Sequence, residues 1–224
     1  MPMNIAIDGP VGAGKSSIAD QVAARLRILH LDTGAMYRAL ALQVLREGID
    51  PGDEAAVCDC CERADVAVRY EDGAQRTLLF GEDVSGLIRT GEVSAAASRV
   101  SSWPAVRARM VRAQQALAAQ ADMLIDGRDI GTRVLEHAPV KIYLTATPEE
   151  RARRRYVQQL ERGDMTPYEQ VLRELNARDA QDMSRATDPL RQAEDAVLVD
   201  STEMTPQQVV DTIVAIVEEA YGKQ

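Results

Sequence analysis

Residues 9–16 read Gly9-Pro10-Val11-Gly12-Ala13-Gly14-Lys15-Ser16, and no other stretch of the chain restricts its fold as strongly. The spacing is G-x-x-x-x-G-K-S. Upstream, Asn4-Ile5-Ala6-Ile7-Asp8 is a short apolar run of the kind that makes a buried strand. Downstream, Ile18, Val22 and Leu26 recur at every fourth residue and give a helix one apolar face. A glycine-rich turn between strand and helix lets several backbone N–H groups converge on one anion, and the helix N-terminus adds partial positive charge. Lys15 can reach the β- and γ-phosphates of a nucleoside triphosphate, and the Ser16 hydroxyl, followed by Ser17, suits a Mg²⁺ ligand. Gly9–Ser17 is therefore read as a P-loop that binds ATP or GTP with Mg²⁺.

The rest of the chain continues the alternation. Thr33 through Glu47 reads as a helix with Met36, Leu40 and Val44 in register. Asp122–Asp126, Val140–Leu144 and Ala196–Asp200 read as further strands of the same alternation. Thr147-Pro148, Thr166-Pro167 and Thr205-Pro206 each offer an N-cap threonine, proline at the first helical position and an acid or amide at the third. The last of these helices should bury Val209, Ile213, Ile216, Val217 and Ala220. Strands separated by helices imply a doubly wound parallel sheet flanked by helices, an α/β fold. Val66–Tyr70 and Arg76–Phe80 around Glu71–Gln75 read instead as an antiparallel hairpin, and so as an insert. At 224 residues the chain suits one α/β domain with inserted pieces, or at most two small domains.

Composition narrows the partners. The balance of 26 basic against 35 acidic residues leaves a net charge of −9, which argues against nucleic acid. No apolar run approaches the roughly 20 residues that cross a bilayer, and the first residues lack a basic, then apolar, leader. A soluble cytoplasmic protein with no membrane partner is expected, with a monomer as the default. Cys58, Cys60 and Cys61 are odd in number and crowded, and His30 and His137 are isolated, so reduced thiols on a helix are expected and no zinc site. Only 3 of 26 basic residues are lysine. Nine arginines against seven acids between Arg151 and Arg191 make that stretch locally positive.

A P-loop serves motors, switches and kinases alike. A small-molecule kinase needs a second site, for the acceptor, and arginines to hold the transferring group; a switch needs a water-positioning residue and partner-facing loops. Three segments stand out. Asp32-Thr33-Gly34-Ala35-Met36-Tyr37-Arg38 opens a helix; Asp126-Gly127-Arg128-Asp129 ends a strand, where α/β sheets hold ligands; Arg178, Asp182 and Arg185 share one helix face. Singly, each also reads as a capped helix start, a strand-end turn and a salt-bridged surface helix.

With these three segments, the P-loop and Gly81–Thr90, the chain resembles the nucleoside monophosphate kinase family, and within it the bacterial cytidylate kinases, over essentially its whole length. The resemblance implies a P-loop kinase with an inserted NMP-binding region and a helical lid. It divides the single domain 1–224 into core (1–64, 100–150 and 185–224), insert (65–99) and lid (151–180). It implies transfer of the γ-phosphoryl group of ATP to CMP or dCMP. By position, Ser98, Arg107 and Asp129 match the residues that read cytosine. Arg38, Arg128 and Arg185 match those that hold the acceptor phosphate. Asp182, with Arg178 and Tyr37, matches the ribose site, and Thr33 lies in the same matched segment. Lys15, Arg128, Arg185 and Arg154 are expected to act on the transferring group. Asp129 can accept from the cytosine N4 amine and Arg107 can donate to N3; uracil reverses both edges. A related P-loop kinase for UMP or a non-nucleotide metabolite, and a switch that binds ATP without acceptor turnover, are the competing readings.

Overall fold

The structure is a computed structural model that describes residues 2–161 and 163–222. The ends of the expected 1–224 domain and one position of the expected 151–180 lid lie outside the described residues. In chain order the elements are β1 Asn4–Asp8, α1 Lys15–Leu26, β2 Leu29–Asp32, α2 Thr33–Arg46, α3 Glu54–Arg63, β3 Val66–Glu71, β4 Ala74–Leu79 and β5 Glu82–Asp83. After a 3-10 turn at Leu87–Arg89 come α4 Gly91–Val100, α5 Pro104–Ala118 and β6 Met123–Gly127. A π-helical turn at Ile130–Val134 precedes β7 Val140–Thr145, α6 Pro148–Glu161, α7 Tyr168–Ser184, β8 Val197–Asp200 and α8 Pro206–Tyr221. By its contacts the chain divides into two compact units, one built chiefly from Leu29–Met123, the other from Met3–Ile28 and the chain from Leu124 onward.

The second unit carries parallel strands in the order β6-β1-β7-β8. Ile5 pairs with Val140, Asp8 with Tyr143 and Ile142 with Val197, all in parallel register. β1, β6 and β7 are nearly continuous apolar runs because parallel strands are covered on both faces. Ile18 and Val22 of α1 and Val209, Ile213 and Val217 of α8 share one apolar cluster with Ile5, Ile7 and Leu144. Each such side chain stabilises the fold by about 1.5–3 kcal/mol. The buried face of α8 also includes Val210 and Val214, while Ala220 is exposed and Ile216 only partly covered. The stripe is thus turned from the one expected, toward the β-branched side chains that fill more volume than alanine.

Two of the three Thr-Pro starts behave as written. Thr205 forms a full capping box with Gln208, and the Thr147 hydroxyl accepts from the Glu150 amide at 3.3 Å. Thr166 does not cap α7. Its amide and hydroxyl both donate to Asp164, at 3.0 and 2.6 Å, because a carboxylate two residues upstream outcompetes the helix for them.

The first unit holds β2, α2–α5 and the antiparallel sheet β3-β4-β5. The hairpin is tighter than expected: Glu71 pairs with Ala74, leaving Asp72 and Gly73 alone at the turn with φ of 51° and 79°. Positive φ at both positions is the type I′ pattern, which matches strand twist and lets β3 run one residue further and β4 start two residues earlier than expected. The 65–99 segment lies inside this unit; the 151–180 segment is mainly α6 and α7 of the other. Cys60 and Cys61 are buried on α3 with their thiols pushed up to about 11 by burial, and all three cysteines are free. Among the described residues no helix is long and apolar enough to cross a membrane.

Candidate active site

The P-loop is held from below by backbone fit. A Cβ at Gly9 (φ 150°) would stand 2.0 Å from the Leu144 carbonyl oxygen of β7, so only glycine lets the loop leave β1 here. Gly14 (φ 85°) takes the left-handed conformation at the N-cap of α1. Lys15 is buried and donates to the carbonyls of Gly9 and Pro10, at 2.8 Å each. Burial, then the nearby Arg128 charge, pushes its ammonium down to about 7 against the pull of Asp126, Asp8 and Asp182. Ala13 is buried, whereas Ser16 and Ser17 open to solvent at the first turn of α1.

Val11 fastens the loop to α6 and α7. Its amide donates to Asp179 Oδ1 at 3.2 Å and its carbonyl accepts from Arg151 Nη1 at 2.9 Å. Arg151 also pairs with Asp179 at 2.5 Å, both side chains being buried. Above Gly12 a Cβ would meet Leu175 Cδ1 at 3.2 Å and Arg151 Cβ at 3.3 Å, so these two helices rest on the glycine turn.

Ser16 Oγ donates to Asp126 Oδ2 at 3.0 Å. A hydroxyl and a strand-end carboxylate at this separation are hard oxygen donors, and they fit a Mg²⁺ ion that takes most of its other ligands from water and phosphate. Asp126 was within a segment singled out by sequence, but its partnership with Ser16 was missed; a carboxylate ending a strand after a P-loop was the available signal.

Asp182 gathers the arginines. Its Oδ2 accepts from Arg128 Nε at 2.9 Å, and its Oδ1 lies 3.1 Å from Arg185 Nη2 and 3.7 Å from Arg178 Nε. Burial alone would push this carboxyl up, but Arg128, Arg185 and Arg178 more than offset it and hold it below the ordinary carboxylate range. Four expected site residues therefore form one group, in the same unit as the P-loop. Asp129 is buried immediately beyond, ahead of the π-helical turn. Arg154 stands elsewhere: it donates to Glu150 at 2.8 Å and to the hydroxyl and carbonyl of Ser201 at 3.0 and 2.6 Å, at the end of β8. Nearby, an open cleft of about 570 Å³ lies off β7 and β8, lined by Thr147, Glu149, Arg153, Tyr168 and Thr202–Thr205; no sequence argument had pointed to it.

The first unit assembles the remaining residues. Asp32 caps α2 through the Ala35 amide (3.0 Å) and pairs with Arg38 at 2.7 Å, and Thr33 is buried behind it. Arg38 Nε is buried without a hydrogen-bond partner among the described residues, which leaves a donor for a ligand anion. The Gln75 amide of β4 holds both backbone groups of Asp32, at 2.7 and 3.3 Å. Arg107 is 1% exposed, stands 5.9 Å over the Tyr37 ring and donates to the Ser101 carbonyl. The Ser101 hydroxyl in turn donates to the carbonyl of buried Ser98 at 3.0 Å.

The family profile described as Cytidylate kinase matches residues 5–219. The chain is 47% identical over 214 residues to a cytidylate kinase of Caldicellulosiruptor bescii, covering 96% of this chain and 95% of that one. It is 50% identical over 208 residues to one from Mycobacterium avium, covering 92% and 91%. An uncharacterized protein from Eubacterium ventriosum, 12% identical, shares the fold at a TM-score of 0.55 over 98% of this chain and 99% of that chain. With the P-loop and the arginine group already in place, a match of this extent settles the family: the chain belongs to the cytidylate kinases.

Proposed function

We propose that the chain transfers the γ-phosphoryl group of ATP to CMP or dCMP, giving ADP and CDP or dCDP. The observation that carries this is the Asp182 group: Arg128, Arg178 and Arg185 stand ready for a second anion, close enough to Lys15 that Arg128 and Asp182 both bear on its charge. A switch protein has no need of such a group. The acceptor phosphate oxygen is already an anion, so the reaction needs positioning and charge neutralisation rather than a strong base.

Gly9–Ser17 would cradle the β- and γ-phosphates with its backbone N–H groups, and Lys15 would leave its own loop carbonyls for the phosphate oxygens. Ser16 and Asp126 would hold Mg²⁺, whose bound form neutralises charge on the phosphates. Arg128 and Arg185, oriented by Asp182, would grip the acceptor phosphate through their planar forks, and Arg38 is assigned to phosphate by its matched segment. Arg178, Asp182 and Tyr37 are assigned to the ribose, with Thr33 in the same segment. Asp129 would accept from the cytosine amine, and Ser98 and Arg107 are assigned to the same base. The cleft off β7 and β8 sits where open α/β sheets take ligands and suits the donor base. Arg154 would serve the transferring group only on leaving Ser201. The segment 151–180 is proposed as lid and 65–99 as insert. The same reading places a monomer in the cytoplasm, acting on small molecules and not on nucleic acid or membrane.

The test is ADP production from Mg·ATP with CMP, dCMP, UMP, AMP or no acceptor. Turnover with CMP and dCMP, with UMP far behind, is expected. Equal turnover with UMP would remove the role of Asp129. ATP binding with no acceptor-dependent turnover would overturn the kinase reading.

A further inference from the structure

Asp8 ends β1 directly before Gly9, is buried, and has no part in the reading above. Its two carboxylate oxygens are both engaged by consecutive amides of the loop that follows β6: Ile130 N–H donates to Oδ1 at 2.8 Å and Gly131 N–H to Oδ2 at 2.7 Å. Consecutive N–H groups converging on a carboxylate make an anion nest. The nest opens a π-helical turn closed by bonds from Val134 to Asp129 and from Leu135 to Ile130, at 3.3 and 2.7 Å. Fixing the Ile130 amide fixes the peptide plane that follows Asp129, and with it the ψ of 27° on which the direction of the Asp129 side chain depends. The fit is close on the far side too. A Cβ on Gly131 would stand 3.4 Å from Asp8 Oδ2 and 3.2 Å from Cδ of Lys141, itself anchored on Asp195 and the Glu136 carbonyl. On the near side, Gly9 is packed against the Leu144 carbonyl and leaves Asp8 no travel independent of the P-loop.

We propose that Asp8 is a positioning residue for base selection: it ties the loop bearing Arg128 and Asp129 to the first residue of the phosphate cradle, and so sets the aim of Asp129. This rests on the reading of Asp129 as a contact to cytosine. Burial pushes the Asp8 carboxyl up to about 7 against the two backbone hydrogen bonds, which shows how much solvation it gives up to hold them.

The chemistry of an amide supplies the test. In Asp8→Asn one oxygen is replaced by an NH₂ group, so at most one of the two loop amides keeps its acceptor. The measurement is the ratio of kcat/KM for CMP to that for UMP, which does not depend on how much of a preparation is folded. Asp129→Asn is the control. The ratio should fall about 10-fold or more in D8N, with a rise in KM for CMP exceeding that for ATP. Gly131→Ala, which presses on the same nest from the opposite side, should lower the ratio in the same direction by less. If D129N lowers the ratio and D8N leaves it unchanged, the proposal is overturned. A D8N effect confined to KM for ATP or to kcat also overturns it, because Asp8 would then act through Lys15. If D129N itself leaves the ratio unchanged, the reading of Asp129 fails first. Should D8N not fold, the ratio in G131A decides alone.

Discussion

The cradle at Gly9–Ser17 draws on nine consecutive residues and on backbone N–H groups, whereas the group around Asp182 draws on side chains from positions 128, 178, 182 and 185. Each is proposed to hold phosphate, and the means differ in what they cost the fold. The cradle buries one amine among carbonyls and leaves its charge poorly solvated. The Asp182 group offsets only part of its own charge in advance, with one carboxylate orienting three guanidiniums and leaving a positive surplus. One site therefore strains a charge and the other stores paired charges, and substitutions should separate them.

The largest effect is expected in the cradle. Lys15→Met should lower kcat by about 10²–10³-fold or more, the scale of losing one preorganised charge donor, while binding of CMP measured without turnover changes little. A comparable loss of CMP binding would break the contrast. Asp182→Asn should raise KM for CMP by at least ~10-fold and KM for ATP less. It should also destabilise the protein by ~3–5 kcal/mol, because breaking a buried pair leaves uncompensated charge; urea unfolding would check it. Since the folded carboxyl lies below its unfolded pKa of 3.8, its contribution is present above that value and lost as pH falls through the folded pKa, and this acid limb should vanish in D182N.

A subtler effect sharpens the comparison further. The Lys15 ammonium ionises near 7 in the fold and near 10.5 unfolded. Between these values the unfolded chain binds more protons, so ligand-free stability from this group rises with pH. Lys15→Met should therefore be more stable than the parent near pH 7, the advantage shrinking as pH rises toward 10.5. A constant difference would mean that the amine is not strained. The smallest effect lies outside both sites: Thr205→Ala should remove the capping box of α8, cost about 1 kcal/mol, lower Tm by ~2–4 °C and leave both KM values unaltered.

The same difference explains what was legible before the structure. The P-loop is contiguous, and its turn, strand and helix each follow from local rules, so its chemistry could be read directly. The spacing of Arg178, Asp182 and Arg185 could be read as a salt-bridged helix face, but not that Arg128 joins the same carboxylate, because that depends on how a strand end and a distant helix meet. Asp126 with Ser16 is separated by 110 positions, and Asp8 with Ile130 by 122, so no periodicity reports either pairing. Where local rules failed, a neighbour intervened: Asp164 took the Thr166 hydroxyl, and β-branched Val210 and Val214 took the place expected for Ala220.

The grip on Val11 by Arg151 and Asp179 has a mechanical reading. The helix α6 spans 14 residues, about 21 Å at 1.5 Å per residue, and its first turn is bolted to the nucleotide cradle. If α6 moves as the proposed lid, Arg151 is its fulcrum, and the arm from there to Glu161 is about 15 Å long. A rotation of about 10° there would carry the far end of that arm through roughly 2.6 Å.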